Sequence, residues 1–158
     1  MDNETHVIKA GSTAHGQFET DVSIERAGWE WSSIRVLALP AGGSETVTSG
    51  VSELLVLPLS GGCAVEVNGE THVLNGREEV WSAITDYLYI PRGTTFTVRS
   101  ESGGRFALPA AKATRDLPVR YCPVTEVVTT LRGAGPCSRQ VNNYALGNDL
   151  ETSHLLAC

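Results

Sequence analysis

Runs of apolar and polar residues alternating with a period near two recur along the whole chain, broken at short intervals by Gly, Pro and Asn, which is the rhythm of strands and turns. Residues 33–39 (SIRVLAL) alternate and stop at Pro40-Ala41-Gly42-Gly43. Residues 53–59 (ELLVLPL) are more continuously apolar, which predicts a strand covered on both faces, and Ser60-Gly61-Gly62 then predicts a turn. Residues 63–67 (CAVEV) and 71–74 (THVL) flank Asn68-Gly69, a dipeptide that tolerates the positive φ angles of a type I′ turn and so predicts a hairpin. Residues 86–90 and 94–100 alternate on either side of Pro91-Arg92-Gly93, and further short strands are expected at 105–108, 119–121 and 124–130. Helical periodicity is scarce: residues 77–84 fit a turn or two, and Asp116 and Asn148 suit the starts of short turns. The expected fold class is all-β, a single-domain antiparallel β-sandwich or barrel joined by hairpins rather than by helical crossovers. Residues 1–150 form that domain, and residues 151–158 (ETSHLLAC) read as a terminal strand, either an edge of the same sheet or the opening of a further domain.

Composition narrows the partners. The 158 residues suffice for one real core, and 41% hydrophobic against 19% charged residues describes a globular chain. Twelve Lys and Arg against eighteen Asp and Glu leave a net charge of -6, so no basic field is available for nucleic acid or an anionic membrane. The first residues, MDNETHVIKAG, lack the basic start and apolar stretch of a secretory signal, and no run approaches membrane-spanning length, so a cytoplasmic protein is expected. Cys63, Cys122, Cys137 and Cys158 are widely spaced with no CxxC pair, which fits neither a zinc knuckle nor a dense disulfide framework.

The turn residues outline the two motifs of the cupins, whose metal ligands follow the patterns G-x5-H-x-H-x(few)-E-x6-G and P-x-G-x2-H. Gly61 closes the first and Pro91-Arg92-Gly93 opens the second, but the carboxylate position falls on Leu54, the paired histidine positions fall among residues 47–50, and the last histidine position is Phe96. Leu, Val and Phe have no lone pairs to hold a cation, so a metal site of that kind is not expected in this chain. A cupin-like jelly roll without a metal is the form the resemblance implies.

A more specific resemblance rests on His15-Gly16-Gln17, Ala27-Gly28-Trp29, residues 53–61 (ELLVLPLSG), Tyr89-Ile90-Pro91-Arg92-Gly93 and residues 132–141 (RGAGPCSRQV). Together these stretches resemble the N-terminal half of the 5-deoxy-glucuronate isomerase family of myo-inositol catabolism, related to the 5-keto-4-deoxyuronate isomerases. The resemblance implies a two-cupin enzyme in which a divalent metal is held by the second half, and an N-terminal half that is non-catalytic and binds no cofactor. It implies as partners a second cupin half or a second copy in a homodimer. A small sugar acid is the ligand to consider, and His15, Arg92, Arg132 and Arg139 are the candidate ligand-binding residues. A guanidinium fork can hold a carboxylate through two parallel hydrogen bonds. The plainer expectations are that His15 bonds a backbone carbonyl, that Arg92 is solvated in its turn, and that Arg132 and Arg139 pair with acidic residues. His6, His72 and His154 read as surface or strand histidines, Glu78-Glu79 as a solvated acidic turn, and Trp29, Trp31 and Trp81 as packing anchors first and sugar-stacking rings second.

Overall fold

A computed structural model describes residues 7–158; His6 lies outside the described residues. β1 (Phe18–Val22), β2 (Ser32–Leu39), β8 (Gly104–Lys112), β4 (Ser52–Val67), β6 (Tyr87–Ile90) and β9 (Arg120–Cys122) lie side by side in that order. The far half of β4 pairs with β5 (Glu70–Arg77) and with β7 (Thr95–Ser100), which in turn pairs with β3 (Gly43–Thr48). Every pairing is antiparallel, and the two sheets close on each other as the expected cupin-like roll. β10 (Val128–Arg132) and β11 (Arg139–Asn143) form a separate ribbon.

β4 belongs to both sheets because it bends where a turn was expected. At Ser60-Gly61-Gly62 the chain does not reverse. It shifts register against both of its neighbours and runs on into the second sheet, the usual work of glycine and a bulge at a roll corner. Gly61 has φ +74°, and a Cβ there would lie 2.4 Å from the Gly103 carbonyl oxygen, so only glycine lets the corner close. The hairpin at Asn68-Gly69 forms as expected, with φ values of 53° and 81°. The turn at Pro91-Arg92-Gly93 differs: its flanking strands pair with opposite halves of β4, β6 with Leu54–Val56 and β7 with Ala64–Val67, so it carries the chain from one sheet to the other.

Elsewhere the irregular pieces depart from the sequence pattern. A short helix α1 (Ile24–Ala27) follows β1, capped by the Ser23 hydroxyl, which accepts a 3.2 Å hydrogen bond from the Arg26 N–H. Residues 77–84 form no helix: Arg77 still belongs to β5, and a turn follows in which the Ser82 N–H reaches the Glu79 carbonyl. Residues 124–130 open as a 3-10 turn, and the strand starts only at Val128. No helix among the described residues is long and apolar enough to cross a membrane.

The inner faces of the two sheets enclose one core, built on Leu37, Leu54, Val56, Val65, Leu88, Phe96, Phe106 and Leu108. A second core lies on the outer face of the first sheet, where Leu55, Tyr87 and Tyr89 pack against Tyr144, Leu150 and Leu155. β4 is therefore covered on both sides, as the continuous apolar run at residues 53–59 predicts, and so is β6, all four of whose residues are buried although alternation was expected there.

The outer cover explains why residues 151–158 do not form the expected terminal strand. The backbone donors of residues 153–155 bond to a side chain instead of a ladder. Glu53, with no exposed surface, accepts the N–H of Ser153 at 2.8 Å on Oε2 and those of His154 and Leu155 at 2.6 and 2.7 Å on Oε1. The Tyr89 hydroxyl donates to Oε2 at 2.6 Å. Burial pushes the Glu53 carboxyl up, but the His154 N–H, the Tyr89 hydroxyl and the Ser153 and Leu155 N–H groups together outweigh it and hold the group below its ordinary 4.5. Because the folded value is the lower one, this stabilisation is complete above pH 4.5 and is lost as the pH falls through the folded value. Glu53→Gln puts an amide donor among groups that all donate, and should cost about 2–4 kcal/mol in urea unfolding at neutral pH. The deficit against the unaltered chain should shrink once the pH drops below 4.5, and a deficit that is flat across that range would show that Glu53 does not act as a carboxylate.

Candidate functional site

Side chains alternate across a strand, so the faces of β2, β4 and β8 can be read from their buried members. On β2 the core-facing set is Leu39 and Leu37 and then, towards the opposite end, Arg35 and Ser33; on β4 it is Val56, Leu54 and then Ser52. β8 lies between them with Ala110, which faces Ser33 on one side and Leu54 on the other. The interior of the roll thus changes from hydrocarbon to polar towards one end. A cavity of about 260 Å³ opens there, lined by Ser33, Arg35, Ser52, Asp21 and Glu25 among others.

Arg35 is half-buried in this mouth. Its guanidinium lies 5.6 Å from the centroid of the Phe18 ring, a cation–π contact. Among the described residues its side chain makes neither a hydrogen bond nor an ion pair. Burial pulls its pKa below the ordinary guanidinium value, with the Asp21 carboxylate opposing the shift. Asp21 faces Arg35 across the β1–β2 ladder, yet its Oδ2 is 3.0 Å from His15 Nε2. The neighbouring hydroxyls divide into two sets. Ser49 donates to the Pro91 carbonyl at 2.7 Å and Thr48 bonds Thr95 at 3.1 Å, whereas the Ser33 and Ser52 hydroxyls bond no other described residue.

The four residues singled out from the sequence are not assembled here. His15 bonds the Asp21 carboxylate rather than a backbone carbonyl, and its ring meets Phe18 edge-on at 5.4 Å. Arg92 is not merely solvated: it pairs with Asp116 at 3.0 Å and donates to the Ala113 carbonyl at 2.9 Å, fixing the turn against the end of β8. Arg132 and Arg139 face each other across the β10–β11 ribbon, both exposed, and neither pairs with a described acidic residue. Arg132 reaches the Thr130 hydroxyl at 3.4 Å and Arg139 the Cys137 carbonyl at 3.2 Å. Sequence reasoning missed Arg35 because both alternating sets of residues 33–39 contain apolar side chains, so the pattern alone does not say which face turns inward.

The positions where a cupin would hold its metal are part of the hydrocarbon core. Val47, Leu54 and Phe96 are each at most 3% exposed, and the oxygens of Thr48 and Ser49 are engaged as described. That donor set does not fit a divalent cation. Among the described residues no three His, Cys, Asp or Glu side chains cluster to hold one. The buried carboxylates are also committed. Glu53 holds residues 153–155, and Asp86 accepts from the N–H groups of Asn75 and Gly76 at 2.9 and 3.0 Å and from the Tyr121 hydroxyl at 2.9 Å. The Cys63 thiol is pushed up to about 12 by burial and by the Asp86 charge, which leaves it protonated and inert.

A second cavity of about 590 Å³ lies outside the roll, bounded by Trp29, Trp31, Ile34, Pro109, Leu155 and Leu156. The tryptophans precede β2 instead of sitting on it, and at 52% and 44% exposure they are not core anchors. Trp31 leans on the His154 ring at 5.0 Å between centroids. Trp81 is 88% exposed and stands alone on its turn.

A family model described as "KduI/IolB family" matches residues 6–158. The 5-deoxy-glucuronate isomerase of Halalkalibacterium halodurans is 27% identical over 146 residues, covering 86% of this chain and 51% of that protein. The protein of the same name from Geobacillus thermodenitrificans is 28% identical over 124 residues, covering 77% and 45%. The chain therefore spans about half the length of the curated relatives it matches. Among solved structures, an IolB-like protein from Salmonella typhimurium superposes with a TM-score of 0.77 at 28% identity, over 83% of this chain and 51% of that one. Protein Ylba from E. coli, at 16% identity and a TM-score of 0.56 over 78% of this chain and 57% of its own, shares the fold.

Exposed arginines bonded only to their own ribbon contribute little to stability. Arg132→Ala and Arg139→Ala should each shift the urea unfolding free energy by less than about 0.5 kcal/mol; a loss of several times that would restore them to a structural or linking role.

Proposed function

Because this chain belongs to the KduI/IolB family, we propose that it supplies the non-catalytic, cupin-like N-terminal half of a 5-deoxy-glucuronate isomerase, the enzyme that interconverts an aldose and a ketose form of a deoxyuronate in myo-inositol catabolism. One observation carries this reading: hydrocarbon side chains, Val47, Leu54 and Phe96, fill the ligand positions of the roll while the strands and turns around them persist. A fold that keeps its frame without its metal donors serves as a scaffold. The divalent metal and the proton transfer belong to a second half bearing the histidines, against which this half packs. Four unpaired thiols, two of them exposed, favour a reducing, cytoplasmic setting.

The groove beneath Trp29 and Trp31 favours association. Together with Ile34 and the 71% exposed Leu156 it forms an apolar surface of the sort that soluble proteins cover. In the absence of a second half the chain is proposed to form a homodimer through this face.

The purified chain should show no isomerisation of 5-deoxy-glucuronate above background; turnover that a chelator abolishes would refute the scaffold reading. Light scattering at about 100 μM, well above a micromolar dissociation constant, should return the mass of a dimer and, for Trp31→Asp, that of a monomer. A strictly monomeric unaltered chain at that concentration would count against the apolar interface.

A further inference from the structure

We propose that the polar mouth of the roll is a binding site for a small polyhydroxylated monocarboxylate, with the Arg35 guanidinium as the carboxylate anchor and Ser33 and Ser52 as hydrogen-bonding partners. The site rests on its own geometry; only the choice of a uronate as probe rests on the family reading above.

A guanidinium on the core-facing side of a strand loses hydration, and proteins ordinarily repay that with a carboxylate or carbonyl partner. Arg35 has none among the described residues, although Asp21 stands opposite it on the neighbouring strand and bonds His15 instead. Phe18 lies against the guanidinium and the side chain lines the cavity, where an unpaired guanidinium fork can receive a carboxylate through two parallel bonds. The Ser33 and Ser52 hydroxyls line the same cavity and can each donate or accept. Asp21 and Glu25, also in the lining, are acceptors suited to sugar hydroxyls, and their charge disfavours a ligand with a second negative group such as a sugar phosphate or an aldarate. The volume of about 260 Å³ falls below the range of about 300–1,000 Å³ that holds drug-sized ligands, which suits a single sugar ring or its open chain. One cation, free hydroxyls and flanking acceptors in so small a space select for one carboxylate and several hydroxyls together.

Calorimetric titration of the full chain with D-glucuronate should give saturable binding below about 20 mM, with glucose and glucose 6-phosphate at least about tenfold weaker. Arg35→Gln should weaken glucuronate at least about tenfold, while Arg132→Ala leaves it unchanged. An NMR titration of the unaltered chain reads the site without any variant: the amide signals of Ser33, Arg35 and Ser52 should move, and those of residues 132–139 should not. Absence of saturable glucuronate binding, equal binding of glucose, retention of affinity in a folded Arg35→Gln, or shifts confined to the ribbon would each overturn the proposal. None of these bears on the isomerase assay, whose outcome decides the scaffold reading separately.

Discussion

Every backbone N–H taken out of water needs an acceptor, and the architecture of this protein follows from the places where a strand ladder cannot provide one. Two buried carboxylates fill the gap. Glu53 projects from the outer face of β4 and takes three successive N–H groups of residues 153–155. Asp86 takes two from residues 75 and 76, where β5 is about to end. Glu53 reaches 100 to 102 residues along the chain and Asp86 only 10 and 11, and in neither case does strand pairing join the segments. Once Glu53 has fixed the last stretch of chain, Leu155 is set down on Tyr89 and Leu55, the outer face of the first sheet is dry, and a strand as apolar as β4 has cover on both sides. Burial of such a side chain is worth about 1.5–3 kcal/mol, but that gain is available only after the backbone crossing the face has been satisfied. The carboxylate is therefore a condition for the second core as well as a contribution to it.

What the sequence reveals of this fold divides along the same line. Features set by local chemistry are legible: the Asn68-Gly69 hairpin, the doubly covered run at residues 53–59, and the antiparallel strand rhythm depend on period and on φ preference within a few residues. Features set by distant partners are not. Glu53 sits at the head of an apolar run and, without its three N–H donors a hundred residues away, reads as the polar edge of a strand. Residues 151–158 look like a strand because they become apolar, yet the period of that stretch carries no sign that a side chain will take their donors. Ser60-Gly61-Gly62 is correctly legible as a break and misleading as to its kind, since glycine permits both a reversal and a sheet-switching bend, and only the closeness of Gly103 distinguishes them.

The candidate site shows the same limit more sharply. Arg92 stands out in the sequence because it sits in a turn beside Gly93, and Arg132 and Arg139 because they bracket a Gly-rich turn, and turns present their side chains to solvent or to one another. Arg35 lies in mid-strand among valine and leucine, where an arginine is expected to point outward. Which of two alternating faces turns inward is decided by pairing with β8 and by the opposite sheet, and that pairing sends Arg35 and Ser33 into the roll with Leu37 and Leu39.

A roll that carries no metal still has two unequal ends, and the inequality follows from how its interior is filled. Where the second sheet closes over the first, Phe96, Phe106 and Leu108 are buried in a core of hydrocarbon side chains that offers a cation no donor. Towards the mouth the core thins to Ala110, and the space left beside it is bounded by hydroxyls and a guanidinium. The mouth shares Thr48 and Ser49 with the stretch where the paired histidines would stand, but those hydroxyls are already engaged, and the groups left free, Arg35, Ser33 and Ser52, come from β2 and the first residue of β4 and occupy no donor position. Metal chemistry and recognition of a charged small molecule are thus separable on this frame: the first needs lone pairs converging in the interior, and the second needs only an unpaired cation held at its rim.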